Sequence, residues 1–158
     1  MPRSSKPREP ASARDAALRA LGRREHSAQQ LRRKLESRGY DEDTAAGTVS
    51  QLADRGWQSD SRYAEMLIRS RIVQGYGRLY IEGELRVAGV PDAEIDAAFE
   101  TAECDWTQLA AEVHARKFGR GAAETLAERN KQYRYLAGRG FSGEQIRKAL
   151  SGALPEDD

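Results

Sequence analysis

Four copies of one short pattern constrain the fold of this 158-residue chain more than any other feature. A leucine, any three residues, a glycine and an apolar residue recur as Leu35…Gly39-Tyr40, Leu52…Gly56-Trp57, Leu85…Gly89-Val90 and Leu136…Gly140-Phe141. The pattern encodes a left-handed helix stop. Glycine takes positive φ at little cost, and the residue after it folds back onto the side chain one turn earlier, here the leucine. Four such stops define four helix ends.

Three of the stops lead into a similar short helix. At six and ten residues past Gly39, Gly89 and Gly140 stand Ala45 and Val49, Ile95 and Phe99, and Ile146 and Leu150. An i, i+4 apolar pair supplies the buried stripe of such a helix. Leu35, Leu85 and Leu136 are 50 and 51 residues apart, so the chain reads as three repeats of about fifty residues. Start signals agree. Ser27-x-x-Gln30 and Ser142-x-x-Gln145 have the form of capping boxes, and Asp41, Asp60 and Asp92 stand where N-caps are needed, with Pro91 ahead of the last.

Alanine, leucine, arginine and glutamate dominate, and no long alternating β-branched stretch occurs. The expected fold is all-α: helices near 13–24, 27–38 and 42–55, then 61–74, 78–88 and 92–102, then 105–118, 122–138 and 142–150. The implied division is a disordered basic tail at 1–11, three-helix repeats at 12–56, 57–103 and 104–151, and an acidic tail at 152–158. A three-helix unit of this size buries little apolar surface alone, so each repeat is expected to lean on its neighbour in an elongated, curved array. Repeat three has Gln132 where the others have Leu31 and Ile81, and Tyr133 is expected to supply the packing there.

Composition removes several classes of function. Charged residues make up 32% of the chain and no run approaches the roughly 18 apolar residues of a membrane span. The N-terminal segment has no apolar core of a secretory signal, so a soluble, cytoplasmic protein is expected. One cysteine, Cys104, and two histidines, His26 and His114, make neither a disulfide framework nor a Cys/His metal cluster. Gly75-Tyr76-Gly77 lacks the third glycine and the preceding strand of a dinucleotide fingerprint, and there is no Walker-type lysine. Cys104 has no recognisable activating partner, His26 reads as a satisfied loop histidine beside Glu25 and Ser27, and His114 falls within an alanine-rich helix where packing or solvent exposure is the default. The expectation is no enzyme, no metal and no cofactor.

Charge is balanced overall at +1 but uneven along the chain. Residues 1–40 carry eleven basic and four acidic side chains, residues 41–100 six and twelve, and residues 101–158 nine of each. A groove-reading helix-turn-helix is disfavoured in repeats one and two, whose third helices are acidic at Asp41-Glu42-Asp43 and at Asp92, Glu94, Asp96 and Glu100, and is left open only for repeat three, with Arg147 and Lys148. Basic residues collect elsewhere. Arg33, flanked by Arg32 and Lys34, lies opposite the stripe of Leu31 and Leu35. Lys131 and Arg134 lie away from Leu126 and Tyr133. Arg69, Arg71 and Arg78 surround the Gly-Tyr-Gly turn. With Arg24, these nine residues form the candidate binding surface for phosphates or carboxylates.

The segment Leu52-Ala-Asp-Arg-Gly-Trp-Gln-Ser-Asp-Ser-Arg-Tyr-Ala64, then Arg71-x-x-x-Gly75-x-Gly77 and Glu84-Leu85-x-x-x-Gly89-Val90, resembles the central repeat of the RecX family. Tyr135-Leu136-Ala-Gly-Arg-Gly140-Phe141-Ser142-x-x-x-Ile146-x-x-Ala149-Leu150 resembles its third repeat. Asp15-x-x-Leu18-x-x-Leu21, with Arg24, Ser27, Leu31 and Leu35, resembles its first. The resemblance spans roughly 13–151 with the repeats in order. It implies a non-enzymatic regulator that binds the RecA recombinase and lodges in the groove of its filament on single-stranded DNA, inhibiting ATP hydrolysis, strand exchange and coprotease activity. The implied partners are the RecA filament and the DNA within it, with the chain itself a monomer. A nonspecific nucleic-acid-binding repeat protein acting through DNA alone, and a generic helical scaffold, are the alternatives.

Overall fold

A computed structural model describes residues 10–151, and the tail segments at 1–9 and 152–158 lie outside the described residues. The described residues form helices in the order α1 (Pro10–Arg23), α2 (Ala28–Ser37), α3 (Glu42–Asp54), α4 (Asp60–Val73), α5 (Arg78–Val87), α6 (Asp92–Ala102), α7 (Trp106–Phe118), α8 (Leu126–Gly138) and α9 (Gly143–Leu150), with no strand among them. The chain is all-α, in three successive triplets. α1 begins three residues before the expected start, at Pro10, a residue whose fixed φ suits a first helical turn.

All four leucine–glycine stops form. Gly39, Gly56, Gly89 and Gly140 have φ of 96°, 75°, 80° and 100°. In each, the N–H after the glycine donates back to the leucine carbonyl: Tyr40 to Leu35, Trp57 to Leu52, Val90 to Leu85 and Phe141 to Leu136, at 2.9–3.2 Å. A fifth stop of the same geometry has an arginine in the leucine position, with Tyr76 N–H on Arg71 O and Gly75 at φ 84°. Tyr40, Val90 and Phe141 are buried as expected, but Trp57 is 43% exposed. The inward place after Gly56 belongs instead to buried Gln58, whose amide donates to His26 O and Asp60 Oδ1.

Helix starts follow the sequence with two corrections. Ser27 and Ser142 make full capping boxes with Gln30 and Gln145, and Asp41 caps α3 through Thr44 N–H. Asp60 and Asp92 are not N-caps but first helical residues. Ser59 caps α4, its Oγ accepting from Arg62 N–H, and the Pro91 carbonyl takes the first turn of α6 from Ile95 N–H. α8 begins at Leu126 rather than 122, because Thr125 Oγ1 accepts from Glu128 N–H and sets the start there.

Internal contacts divide the chain into two units. One runs to Met66 and takes in Leu85–Asp96; the other joins Leu67–Glu84 to the residues from Ala97 onward. In the first, the small side chains Ala13, Ala16, Ala17 and Ala20 of α1 pack against Leu31, Leu35, Tyr40, Ala45, Val49 and Leu52. In the second, Leu109, Ala110 and Val113 of α7 meet Leu136, Phe141 and Ile146. Full burial of one leucine or isoleucine is worth about 1.5–3 kcal/mol, so these short apolar stripes carry most of each unit's stability.

Each unit also contains a junction between consecutive repeats, built in the same manner. In the first, Ser27 Oγ donates to Ala88 O at 2.6 Å and Gln29 Nε2 to Val87 O at 2.9 Å, so the start of α2 satisfies the carbonyls ending α5. In the second, Gly77 N–H donates to Arg139 O at 2.7 Å and Leu79 N–H to Gly140 O at 3.0 Å, so the start of α5 meets the end of α8. A Cβ on Gly89 would lie 2.4 Å from Gln29 Oε1, and one on Gly140 2.5 Å from the Tyr80 backbone nitrogen. At these two stops glycine is needed for close approach as well as for positive φ. The middle helix of one repeat thus caps the stop of the next.

Candidate functional site

The nine expected surface residues fall into two groups, one per unit. In the first unit, α2 buries Leu31 and Leu35 on one side and leaves Arg33 exposed on the other, with Arg32 and Lys34 half-buried beside it. This α2 face is the arrangement the residue spacing anticipates. Arg24, exposed in the turn ahead of it, donates from Nη1 to Glu25 O at 2.9 Å and lies 3.4 Å from Gln30 Oε1. The same unit carries Trp57, with the guanidinium carbons of Arg14 and Arg55 5.1 and 5.8 Å from its ring centroid. The stop pattern assigned that ring to the interior, so sequence spacing gave no signal for it.

In the second unit two of the three arginines around the Gly-Tyr-Gly turn, Arg71 and Arg78, are engaged internally. Arg71 makes a two-pronged pair with Glu84, at 2.7 and 3.1 Å, and reaches Gln74 at 3.2 Å. Arg78 pairs with Glu82 at 2.7 Å and lies over the Phe99 ring at 4.6 Å. These forks are already occupied by carboxylates, unlike Arg69 on α4 and Lys131 and Arg134 on α8, which are exposed. Glu84 in turn pushes the Tyr80 hydroxyl above its ordinary pKa of 10.0 by charge repulsion of the phenolate.

The residue that organises the turn lies outside the nine anticipated from residue spacing. Arg139, at the C-cap of α8, donates from Nε to Gly75 O at 3.2 Å and from Nη2 to Gln74 O, and its guanidinium lies 3.9 Å from the Tyr76 ring centroid. Tyr76 stacks on Tyr80 at 4.1 Å. The only sequence mark of Arg139 is a place just before a stop glycine, which says nothing of tertiary partners.

Repeat three departs from its expected stripe. Leu126 is 74% exposed and Tyr133 37% exposed, so neither forms the packing face of α8. Gln132 turns inward instead, its Oε1 2.8 Å from Nε2 of His114 on α7, a ring almost wholly buried. A polar pair thus replaces the apolar packing of Leu31 and Ile81 in the other repeats.

The remaining reactive groups are quiet. His26 is buried, with Nδ1 donating to Arg24 O at 2.9 Å, and burial holds its pKa below 6.5. Burial likewise pushes the Cys104 thiol up, assisted by Asp105 and Glu112. A cavity of about 480 Å³ beside α7 is lined by Glu112, His114, Arg120 and Ser151 among others, but its imidazole is already committed to Gln132. Among the described residues no group of three or more His, Cys, Asp or Glu side chains could hold a metal ion. No helix among them is long and apolar enough to cross a membrane.

Fold and side chains together define a protein of tandem three-helix repeats with basic helix faces. The first, second and third three-helix domains of RecX match residues 13–52, 59–98 and 103–150, in that order. The chain belongs to the RecX family. It is 42% identical over 133 residues to the regulatory protein RecX of Stenotrophomonas maltophilia strain K279a, covering 84% of this chain and 82% of that one. It is 41% identical over 145 residues to the regulatory protein RecX of Halorhodospira halophila, covering 92% and 90%. The crystal structure of RecX from Lactobacillus salivarius shares the fold, with a TM-score of 0.75 at 21% identity over 90% of this chain and 94% of that one.

Proposed function

We propose that this chain is a non-enzymatic, cytoplasmic regulator of the RecA recombinase, binding RecA and its nucleoprotein filament in the filament groove. Binding there inhibits ATP hydrolysis, strand exchange and coprotease activity, and so tunes recombinational repair and the SOS response. The observation that carries this reading is the ordered match of all three RecX domains across residues 13–150. The basic face of α2, with Arg32, Arg33 and Lys34, and the exposed Arg69, Lys131 and Arg134 supply charge suited to DNA phosphates or to acidic patches on RecA. Arg24 flanks the first group, whereas Arg71 ties α4 to α5 through Glu84 and Arg78 pairs with Glu82 within α5.

No chemistry is needed for such regulation. A protein that binds one filament state better than another shifts their balance by its differential affinity. Several modest contacts on one chain reinforce one another through effective concentration.

A pull-down with purified RecA, with and without single-stranded DNA, tests this directly. Capture of RecA, strengthened when the DNA is present, is expected. The alternative, nonspecific binding through DNA alone, predicts steeply salt-dependent binding to bare DNA and no capture of DNA-free RecA.

A further inference from the structure

A second basic site lies in the unit formed by Leu67–Glu84 and the residues from Ala97 onward. A cavity of about 230 Å³ is lined by Gln74, Gly75, Val113, Arg116, Lys117, Tyr135 and Arg139. Three of these are cations, and no carboxylate is in its wall. None belongs to the surface anticipated from the sequence.

Helix dipoles alone do not account for the three charges. The ends of α4, α7 and α8 meet at this cavity through Gln74, Arg116 and Arg139. A helix C-terminus carries roughly half a negative charge, so three of them offset about half of the three positive ones. Arg139 is the part spent on that role, its guanidinium fixed by the carbonyls of Gln74 and Gly75 and by the Tyr76 ring. Arg116 and Lys117 are exposed, and Lys117 lies 5.3 Å from the Tyr135 ring centroid. The remainder is a concave, positively charged pocket with room for a tetrahedral oxyanion and an aromatic ring in its wall.

We propose that this pocket seats a backbone phosphate of single-stranded nucleic acid, with Arg116 and Lys117 as the phosphate ligands and Arg139 as the positioning residue that keeps the pocket open. A cationic pocket beside an aromatic ring suits a single strand, whose phosphates are followed and whose bases can stack. The proposal rests on the reading of the chain as a regulator of DNA-bound filaments only for its choice of ligand.

Anisotropy of a fluorescein-labelled oligothymidylate with the full chain, in the absence of RecA, tests it separately from that reading. Arg116→Gln with Lys117→Gln should weaken binding at least about tenfold at low salt and reduce the slope of log affinity against log salt by about 0.7, the share of the one phosphate no longer neutralised. Arg19→Gln with Arg23→Gln on α1 removes the same charge and should leave the slope within about 0.3 of wild type. Inorganic phosphate at matched ionic strength should compete only at millimolar concentration. An unchanged affinity and slope in the Arg116/Lys117 variant, competition by micromolar phosphate, or tighter binding of an oligoglutamate of equal charge would each overturn the assignment.

Discussion

The Ser27 hydroxyl donates to the carbonyl of Ala88, 61 residues further along the chain, at 2.6 Å and out of contact with solvent. The same oxygen accepts the N–H of Gln30 and so caps α2. One atom therefore starts a helix in the first repeat and closes a helix in the second. Ser27→Ala removes both interactions and leaves a buried carbonyl without its donor, a loss expected at about 2–3 kcal/mol. Ser142→Ala removes a capping box alone and should cost about 1 kcal/mol. Urea unfolding of the two variants measures the difference, and equal losses would remove Ser27 from the junction.

The stop glycines should separate in the same way. A Cβ on Gly39 meets nothing within 4 Å, so Gly39→Ala carries only the strain of positive φ, about 1–2 kcal/mol. A Cβ on Gly140 collides with the backbone nitrogen and Cβ of Tyr80, so Gly140→Ala should cost about 3 kcal/mol or more. Thermal and urea midpoints of both variants check the ranking.

Burial of His26 makes stability depend on pH. Its Nδ1–H is bonded to Arg24 O, and its Nε2 is buried without a partner, so the folded chain resists the second proton and the pKa falls below 6.5. As pH drops through 6.5 the unfolded chain takes up that proton first, and stability is lost from there downward until the folded imidazole also protonates. Between about pH 7.5 and pH 5.5 the wild type should lose more stability than His26→Asn, which keeps a donor for Arg24 O without titrating. Denaturant melts at the two pH values test this.

Glu94 presents the opposite case. Burial, and then the charge of Asp60, raises its carboxyl pKa above 4.5, and Oε2 is buried without a partner. The ionised form is disfavoured in the folded chain, so stability is lost as pH rises through the folded pKa. Glu94→Gln should stabilise the protein at neutral pH, by about 0.5 kcal/mol once screening is allowed for, with the gain absent at about pH 3. Thermal melts at the two pH values decide it.

Much of the fold was legible because helix stops are local. Leu35, Leu85 and Leu136 announce the repeat, and glycine four residues on leaves little conformational choice. The features that escaped depend on partners distant in sequence. Trp57 fits the stop pattern yet lies on the surface, since Gln58 takes the buried place through bonds to His26 and Asp60. Gln132 looked like a gap in an apolar stripe, but His114 makes it half of a polar pair. The α2 face was readable, as Arg33 must lie opposite Leu31 and Leu35 on any helix. Arg71 read as available because its partner Glu84 is identified only by tertiary geometry, whereas the i, i+4 spacing of Arg78 and Glu82 on one helix already marks them as a pair. Arg139 carried no local mark of its role at the turn.

The role of the α2 face is open to a charge-reversal test. Arg32→Glu, Arg33→Glu and Lys34→Glu together should raise the concentration needed for half-inhibition of RecA by at least about tenfold, with the far-UV dichroism unchanged. Wild-type inhibition by this variant would remove the patch from the binding surface.

DNA-dependent ATP hydrolysis by RecA, followed while the purified chain is titrated in, tests the regulatory role most directly. Suppression is expected at amounts well below one chain per RecA subunit, since each bound chain acts on a filament rather than on a single active site. Hydrolysis that stays unchanged even with the chain in excess over RecA would contradict it.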